Sequence, residues 1–295
     1  MSSIQSGGVF AVHTGNLNNC LELVTRRYKN SASEITAAFK YLAAQHSTVI
    51  RTSEAVFSPN IEVLHHPMTD VCLSSFSADD VGDAVRIALE TLQLGTLSQL
   101  IVSFPHEESE HHYVTLIPLC YNLPFQQLLS DDFLKEPLLI LPAHGAYPIC
   151  FSVKQSDLSD DCWLRKVTPI WSTVESLVKK EVVHSVGVSD LDVDRLRLLS
   201  EAAKESPPTI DHYSIDGCCT VPKELVDYAK SHDIQLLTHN DPRNLELDAD
   251  VIDSVDKITG SGKNLSTRWA SRYTIWIRSR SVMAAKGYLV SFMKH

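Results

Sequence analysis

The chain has 295 residues, 44% hydrophobic and 21% charged, an ordinary globular composition with enough apolar material for a substantial core. Acidic residues outnumber basic ones, 36 to 26, and the net charge of -10 argues against nucleic acid as a partner, because no excess of cations exists to displace phosphate counterions. The first residues carry no basic segment and no apolar run of signal-peptide length. The longest apolar runs, such as Leu138 to Leu141, are far too short to span a bilayer, so a cytoplasmic protein with no membrane partner is expected. The 7 cysteines, Cys20, Cys72, Cys120, Cys150, Cys162, Cys218 and Cys219, lack regular spacing, which suggests reduced thiols rather than a disulfide framework.

In chain order, Val9 to Thr14 reads as a short strand ending at the turn signal Gly15-Asn16. From Asn19 to Leu42, Leu21, Val24, Tyr28, Ile35, Phe39 and Leu42 fall at helical spacings, whereas Ser47 to Thr69 shows no clear pattern. Val71 to Phe76 is a strand. An amphipathic helix follows, with Val81, Ala84, Val85, Ala88, Leu89 and Leu92 on one face, Ser77 as N-cap and Asp80 in the first turn. Leu97 to Phe104 is the next buried strand. From about 106 to 166 prolines recur without periodicity, which predicts an irregular insert. Regularity returns with a helix face at Trp171, Val174, Leu177 and Val178. Then come a strand at Val182 to Val188, a helix from Leu191 to Ala203 capped by Ser189 or Asp190, and a strand from Thr209 to Ile215. A helix from Lys223 to Ser231 led by Pro222 and a strand from Ile234 to Thr238 complete the run.

Several of these strands end in polar residues: Val186-Gly187-Val188-Ser189-Asp190-Leu191, and Ile234 to Pro242. Buried strands that alternate with helices and carry functional groups at one rim predict a single parallel β/α barrel domain over residues 1–295. The succession of Trp171 to Val178, Val183 to Leu191, Ile210 to Ile215 and Leu225 to Thr238 resembles the aldo-keto reductase barrel, as does the strand-helix-strand of Val71 to Pro105. Within that superfamily the chain is similar to the regulatory (modifier) subunits of glutamate-cysteine ligase. The residues that carry the likeness are His13-Thr14-Gly15-Asn16-Leu17, Gly187 to Leu191, Cys218-Cys219, Leu236 to Pro242, and Arg272-Tyr273 through Arg278-Ser279-Arg280 to Lys286-Gly287-Tyr288.

What the resemblance implies is tested against the residues. A reductase of this type needs a tyrosine acid, a lysine lowering its pKa, an aspartate holding that lysine and a histidine orienting the substrate. The lysine is expected where Ser74-Ser75-Phe76 stands and the histidine where Ser103 stands. No aspartate and tyrosine at the family's spacing precede Asp70. The loss of one general acid or base costs about 100- to 10,000-fold in rate, so a chain without catalytic residues is expected, with an NADPH-dependent oxidoreductase as the alternative. Of the cofactor-binding positions, the family's asparagine matches Asp190, beside Ser189, its glutamine matches His212 and its stacking tyrosine matches His239, so no cofactor is required and only residual NADPH binding is expected. The resemblance further implies a heterodimer with the catalytic subunit of glutamate-cysteine ligase, improved use of glutamate and weaker feedback inhibition by glutathione.

Other candidates keep two readings. Thr238 to Pro242, with His239, Asn240 and Asp241, is either a strand end with a cap or a rim that binds a partner subunit or a small effector. Cys218 and Cys219 are either a buried filler with an exposed neighbour or a redox-sensing, intersubunit pair. The alternating segment Trp269 to Ile277, with Arg278 and Arg280 at its end, either closes the barrel or supplies interface anchors. The pair His65-His66 and the run His106 to His112 lack zinc-ligand spacing, and no metal site is expected. Phosphate-loop and nucleophile-elbow motifs are absent too.

Overall fold

The computed structural model describes residues 8–45, 50–51, 56–58, 67–105, 113–114, 151–152, 159–215, 220–241, 247–277 and 282–295. By its internal contacts the chain divides into one unit of Met1–His106 with Asp160–His295 and a second of Glu107–Ser159.

In the first unit the chain opens with β1 (Val9–His13), the one-turn helix α1 (Leu21–Val24) and α2 (Ser31–Gln45), followed by β2 (Ile50–Arg51), β3 (Val56–Ser58) and β4 (Pro67–Leu73). Then come α3 (Ala78–Leu92) and β5 (Leu97–Ser103). The second unit contributes β6 (Tyr113–Val114) and β7 (Phe151–Ser152), which pair antiparallel. The first unit resumes with α4 (Asp160–Lys179), β8 (Val183–Ser189), α5 (Val193–Ala202), β9 (Ile210–Ser214), α6 (Lys223–Ser231), β10 (Gln235–His239), α7 (Ala249–Thr259), β11 (Leu265–Ile277) and β12 (Val282–Lys294).

The class is α/β, as the alternation of elements predicts. The sheet order is β10-β9-β8-β5-β4-β11-β12-β1-β3-β2. Its first five strands run parallel with helices between them in sequence, as in a β/α barrel, and among the described residues no strand pairing joins β10 to the far edge to close the sheet. The C-terminal segment is a long antiparallel hairpin seated between β4 and β1, so β12 pairs with β1 and β11 with β4. Among the described residues no helix is long and apolar enough to cross a membrane.

Local chemistry explains most boundaries. Ser77 caps α3 by accepting from the Asp80 N–H, and Val81, Ala84, Val85, Ala88 and Leu92 are buried as the spacing predicts. Ile87 is buried as well, while Leu89 is only half-buried. Asp80 does more than meet the helix dipole: it is buried and ion-pairs with Arg268 of β11. The helical pattern of 19–42 is broken into two helices. Asn30 and Ser33 bond reciprocally at the start of α2, Ser33 N–H to Asn30 Oδ1 at 3.0 Å and Asn30 N–H to Ser33 Oγ at 3.2 Å, which fixes a new N-terminus there. The helix expected around Trp171 begins at Asp160, so residues 160–166, read as irregular, are helical. Trp163, Val167, Ile170, Trp171 and Val174 form one buried stripe that outweighs the internal Pro169.

The cap of α5 is Asp192, accepting from the Arg195 N–H at 2.9 Å, and neither Ser189 nor Asp190 fills that role. Both are engaged at the strand ends described below. The helix α7, which the sequence reading missed, packs Val251 and Val255 with Phe10, Phe39, Tyr288 and Phe292 in the core beneath α2. Phe10 stacks on Phe292 with ring centroids 5.7 Å apart.

Candidate functional site

Strand register gathers the polar strand ends at one rim. On the parallel ladder Ser189 of β8 lies opposite His212 of β9, and His239 of β10 lies opposite Ser214. The approach of β8 to β9 needs a glycine: a Cβ on Gly187 would stand 2.6 Å from the Cβ of Ile210, closer than real carbons come.

Asp190 follows β8 in the left-handed region, at φ 63°, a conformation that short polar side chains tolerate better than most. Its carboxylate turns back over the strand ends. Oδ1 accepts from the Ser214 N–H at 2.7 Å and lies 3.2 Å from His239 Nε2, and Oδ2 accepts from Ser189 Oγ at 3.1 Å. Burial opposes ionisation of Asp190, but the contacts from His239, Ser214 and Ser189 outweigh it and hold the carboxyl below the ordinary range. The ring of His239 sits edge-on to that of His212 at 4.5 Å.

The protonation pattern of His239 follows from its neighbours. The Asp241 N–H donates to Nδ1 at 3.1 Å, so Nδ1 carries the lone pair and the neutral ring holds its proton on Nε2, facing Asp190 and the His212 carbonyl at 3.1 Å. This decides a question of chemistry. Ser189 Oγ is 3.4 Å from Nε2 and Asp241 Oδ2 is 3.9 Å from Nδ1, an arrangement with the composition of a Ser-His-Asp triad. A triad base needs the opposite tautomer, with the proton on the carboxylate side, so the ring cannot accept the serine proton. The serine is not activated.

Asp241 extends the network away from the rim. Its carboxylate accepts from the Ser31 N–H and, at 2.8 Å, from Ser31 Oγ, both at the start of α2, and it pairs with Arg272 of β11 at 3.3 Å. Ser214 Oγ in turn donates to the Asp241 carbonyl at 2.7 Å. The end of β10 is thereby tied to α2 and to the C-terminal hairpin.

On the adjoining strand position lies Asp211, fully buried, with no well-aligned hydrogen bond to either carboxylate oxygen among the described residues. Burial, with the charge of Asp190 adding to it and the nearby Leu191 N–H offsetting only part, pushes its pKa up to about 8. At neutral pH this carboxyl is chiefly protonated.

At the end of β4, Ser74 donates to the Arg268 carbonyl, and beyond β5 Phe104 packs edge-on against Trp163 at 5.9 Å. A buried tyrosine and histidine do meet elsewhere: Tyr273 Oη lies 3.0 Å from His13 Nε2 and donates to the Gly15 carbonyl at 2.8 Å. The phenol has one proton and gives it to Gly15, so His13 Nε2 is the donor to Tyr273. Burial raises the Tyr273 pKa and lowers that of His13 to about 3. A proton donor for hydride transfer needs a lowered phenol pKa, so this pair is suited to holding β11 against β1 rather than to acid catalysis.

Of the residues singled out from sequence, Ser189, Asp190, His212, His239 and Asp241 come together, and Asn240 beside them is exposed. Cys218, Cys219, Arg278 and Arg280 lie outside the described residues, as do His65, His66, His106 to His112 and nearly all of the insert. Among the described residues Cys20 and Cys162 are free thiols, and no cluster of three potential ligands is arranged for a metal ion. The sequence reading missed Ser31, Ser214, Asp211 and Arg272 as members of the network. Arg272, Asp211 and Ser214 each had one signal, a place in a segment that carried the resemblance, and Ser31 had none.

No protein-family model matches the chain. The glutamate–cysteine ligase regulatory subunit of Mus musculus is 32% identical over 129 residues, 43% of this chain and 47% of the mouse protein. That of Homo sapiens matches to the same extent, and the putative glutamate–cysteine ligase regulatory subunit of Schizosaccharomyces pombe is 28% identical over 121 residues, 41% of this chain and 42% of the yeast protein. The chain thus spans about half the length of the curated relatives it matches. Among solved structures, an aldo-keto reductase of the silkworm Bombyx mori matches with a TM-score of 0.34 and 15% identity, covering 72% of this chain and 46% of that one. The aldose reductase of Schistosoma japonicum gives 0.33 and 16%, covering 71% and 52%.

Proposed function

We propose that the chain is a regulatory subunit of a glutamate–cysteine ligase, a cytoplasmic polypeptide without a reaction centre of its own. It forms a heterodimer with the catalytic subunit, improves that subunit's use of glutamate and weakens feedback inhibition by glutathione. The observation that carries this reading is the 32% identity over 129 residues to regulatory subunits of that name.

The strand-end chemistry supports it. Asp190 and His239 bond to each other, His239 is held in the tautomer that cannot serve as a triad base, and Tyr273 has a raised pKa. No cofactor is required for this role, and residual NADPH binding at this rim would have to displace the contact between Asp190 and His239. Physically, the regulation amounts to a coupling free energy of about 1 to 3 kcal/mol, roughly 5- to 150-fold in affinity, supplied by favouring one conformation of the partner.

Analytical ultracentrifugation of the chain with the catalytic subunit is expected to show a one-to-one complex, with no carbonyl-dependent NADPH oxidation by the isolated chain. Two independent species at micromolar concentration, together with NADPH turnover, would select the oxidoreductase reading instead.

A further inference from the structure

The most exposed large apolar side chain among the described residues is Leu21 of α1, at 77%, and Val24 follows one turn later at 53%. The residues before α1 are fastened to the start of β12: Asn16 Nδ2 donates to the Ala284 carbonyl at 3.1 Å and Asn18 Nδ2 to that of Met283 at 3.5 Å. Val282, 52% exposed, opens that same strand. Among the described residues, three of the four exposed large hydrophobics therefore belong to one neighbourhood.

Charge collects there too. The turn after α1 carries Arg26, Arg27 and Lys29, all exposed and none ion-paired among the described residues, in a chain whose net charge is -10. A pocket of about 390 Å³ opens between α1 and α2, lined by Leu23, Ala37 and Tyr41 together with Glu22, Arg26 and Lys40. Apolar groups held in water beside a cavity and unpaired guanidinium groups are what a protein interface buries.

We propose that α1, the Arg26–Lys29 turn and the pocket against α2 form a docking surface for an acidic, apolar segment of the ligase catalytic subunit. This rests on the regulatory reading above and names its contact surface. An apolar side chain of the partner enters the pocket while Leu21 and Val24 lose their water, and carboxylates flanking that side chain meet Arg26, Arg27 and Lys29. The charge selects this occupant over a second copy of the chain, because a two-fold contact would set the same cations against one another. It also selects protein over membrane: α1 is a single turn of 4 residues, too short to lie in a lipid interface as an amphipathic helix, and the acidic remainder is repelled by anionic lipid.

The test measures the affinity of the full chain for the catalytic subunit by calorimetry at two salt concentrations, for native protein, Leu21→Ser/Val24→Ser and Arg26→Glu/Arg27→Glu. All four positions are exposed, so both variants keep the native fold. Each is expected to weaken binding by at least about tenfold, and the charge-reversed variant to lose most of the native salt dependence. Variants that bind within about twofold of native, alongside a native chain that does bind, overturn this surface and leave the regulatory role standing. A native chain that fails to bind overturns the regulatory role and this surface with it. Sedimentation with phosphatidylserine vesicles, lost in the same variants while subunit affinity is unchanged, assigns the patch to lipid and overturns the proposal.

Discussion

His239 Nε2 lies 3.2 Å from Asp190 Oδ1, so a side chain at the end of β10 closes over the end of β9 onto the residue that follows β8. Both side chains are more than nine-tenths buried. Asp190→Ala removes the carboxylate that accepts from the Ser214 N–H and leaves the His239 Nε2–H only the His212 carbonyl, and it is expected to cost about 2 to 4 kcal/mol in urea unfolding. Asp190→Asn keeps an acceptor oxygen and tolerates the left-handed backbone, so it should cost about 1 kcal/mol. Because the folded pKa of Asp190 lies below its unfolded value of 3.8, its contribution is present above that pH and is lost as pH falls through the folded value. That acid-side slope should be missing in the Asn variant.

Asp211 has the opposite sign. Its pKa rises from 3.8 in the unfolded chain to about 8 in the folded one, so the native state holds an extra proton between those values and stability falls as pH rises through them. Asp211→Asn cannot ionise. It should match the native protein near pH 4 and exceed its stability at pH 9 by on the order of a few kcal/mol, at about 1.4 kcal/mol per pKa unit. Parallel curves for the two proteins across that range would refute a protonated Asp211.

His13 is buried neutral, its pKa lowered from 6.5 to about 3. Its contribution is complete above 6.5 and disappears as pH falls toward 3, so His13→Gln should flatten the native slope in that window by about one proton. Tyr273→Phe removes the hydroxyl that links His13 to the Gly15 carbonyl and should destabilise by about 1 to 3 kcal/mol. A loss under a few tenths would show that the pair contributes nothing.

Gly187→Ala forces a methyl group into the contact with Ile210 where β8 meets β9. The strands must part, and thermal unfolding should report a loss of about 1 to 3 kcal/mol. Since Ser189 and Asp190 follow directly, the same substitution should perturb the NMR signals of His239.

The parallel strand and helix run was legible because its pattern is local: buried apolar strands, Ser77 before Val81, Pro222 before a helical face. Boundaries failed where a distant group decided them. Asp190 looked like a helix cap until His239 and Ser214 claimed its carboxylate, leaving Asp192 to cap α5. The hairpin of β11 and β12 was half visible as alternation after Trp269, yet its insertion between β4 and β1 depends on pairings across more than 190 residues of sequence, as in Trp269 with Leu73. The site was legible as residue types at three strand ends. Its closure was not, since no local pattern brings Ser31 and Arg272 onto Asp241. Asp211 was invisible for a simpler reason: an aspartate in a strand gives no sign that its face is dry.

The account stands or falls on one kinetic comparison: initial rates of the ligase catalytic subunit as a function of glutamate, with and without the full chain, at fixed glutathione. Added chain is predicted to lower the apparent KM for glutamate and raise the glutathione concentration needed for half inhibition, each within the roughly 5- to 150-fold range of such couplings. Superimposable curves at saturating chain would contradict it.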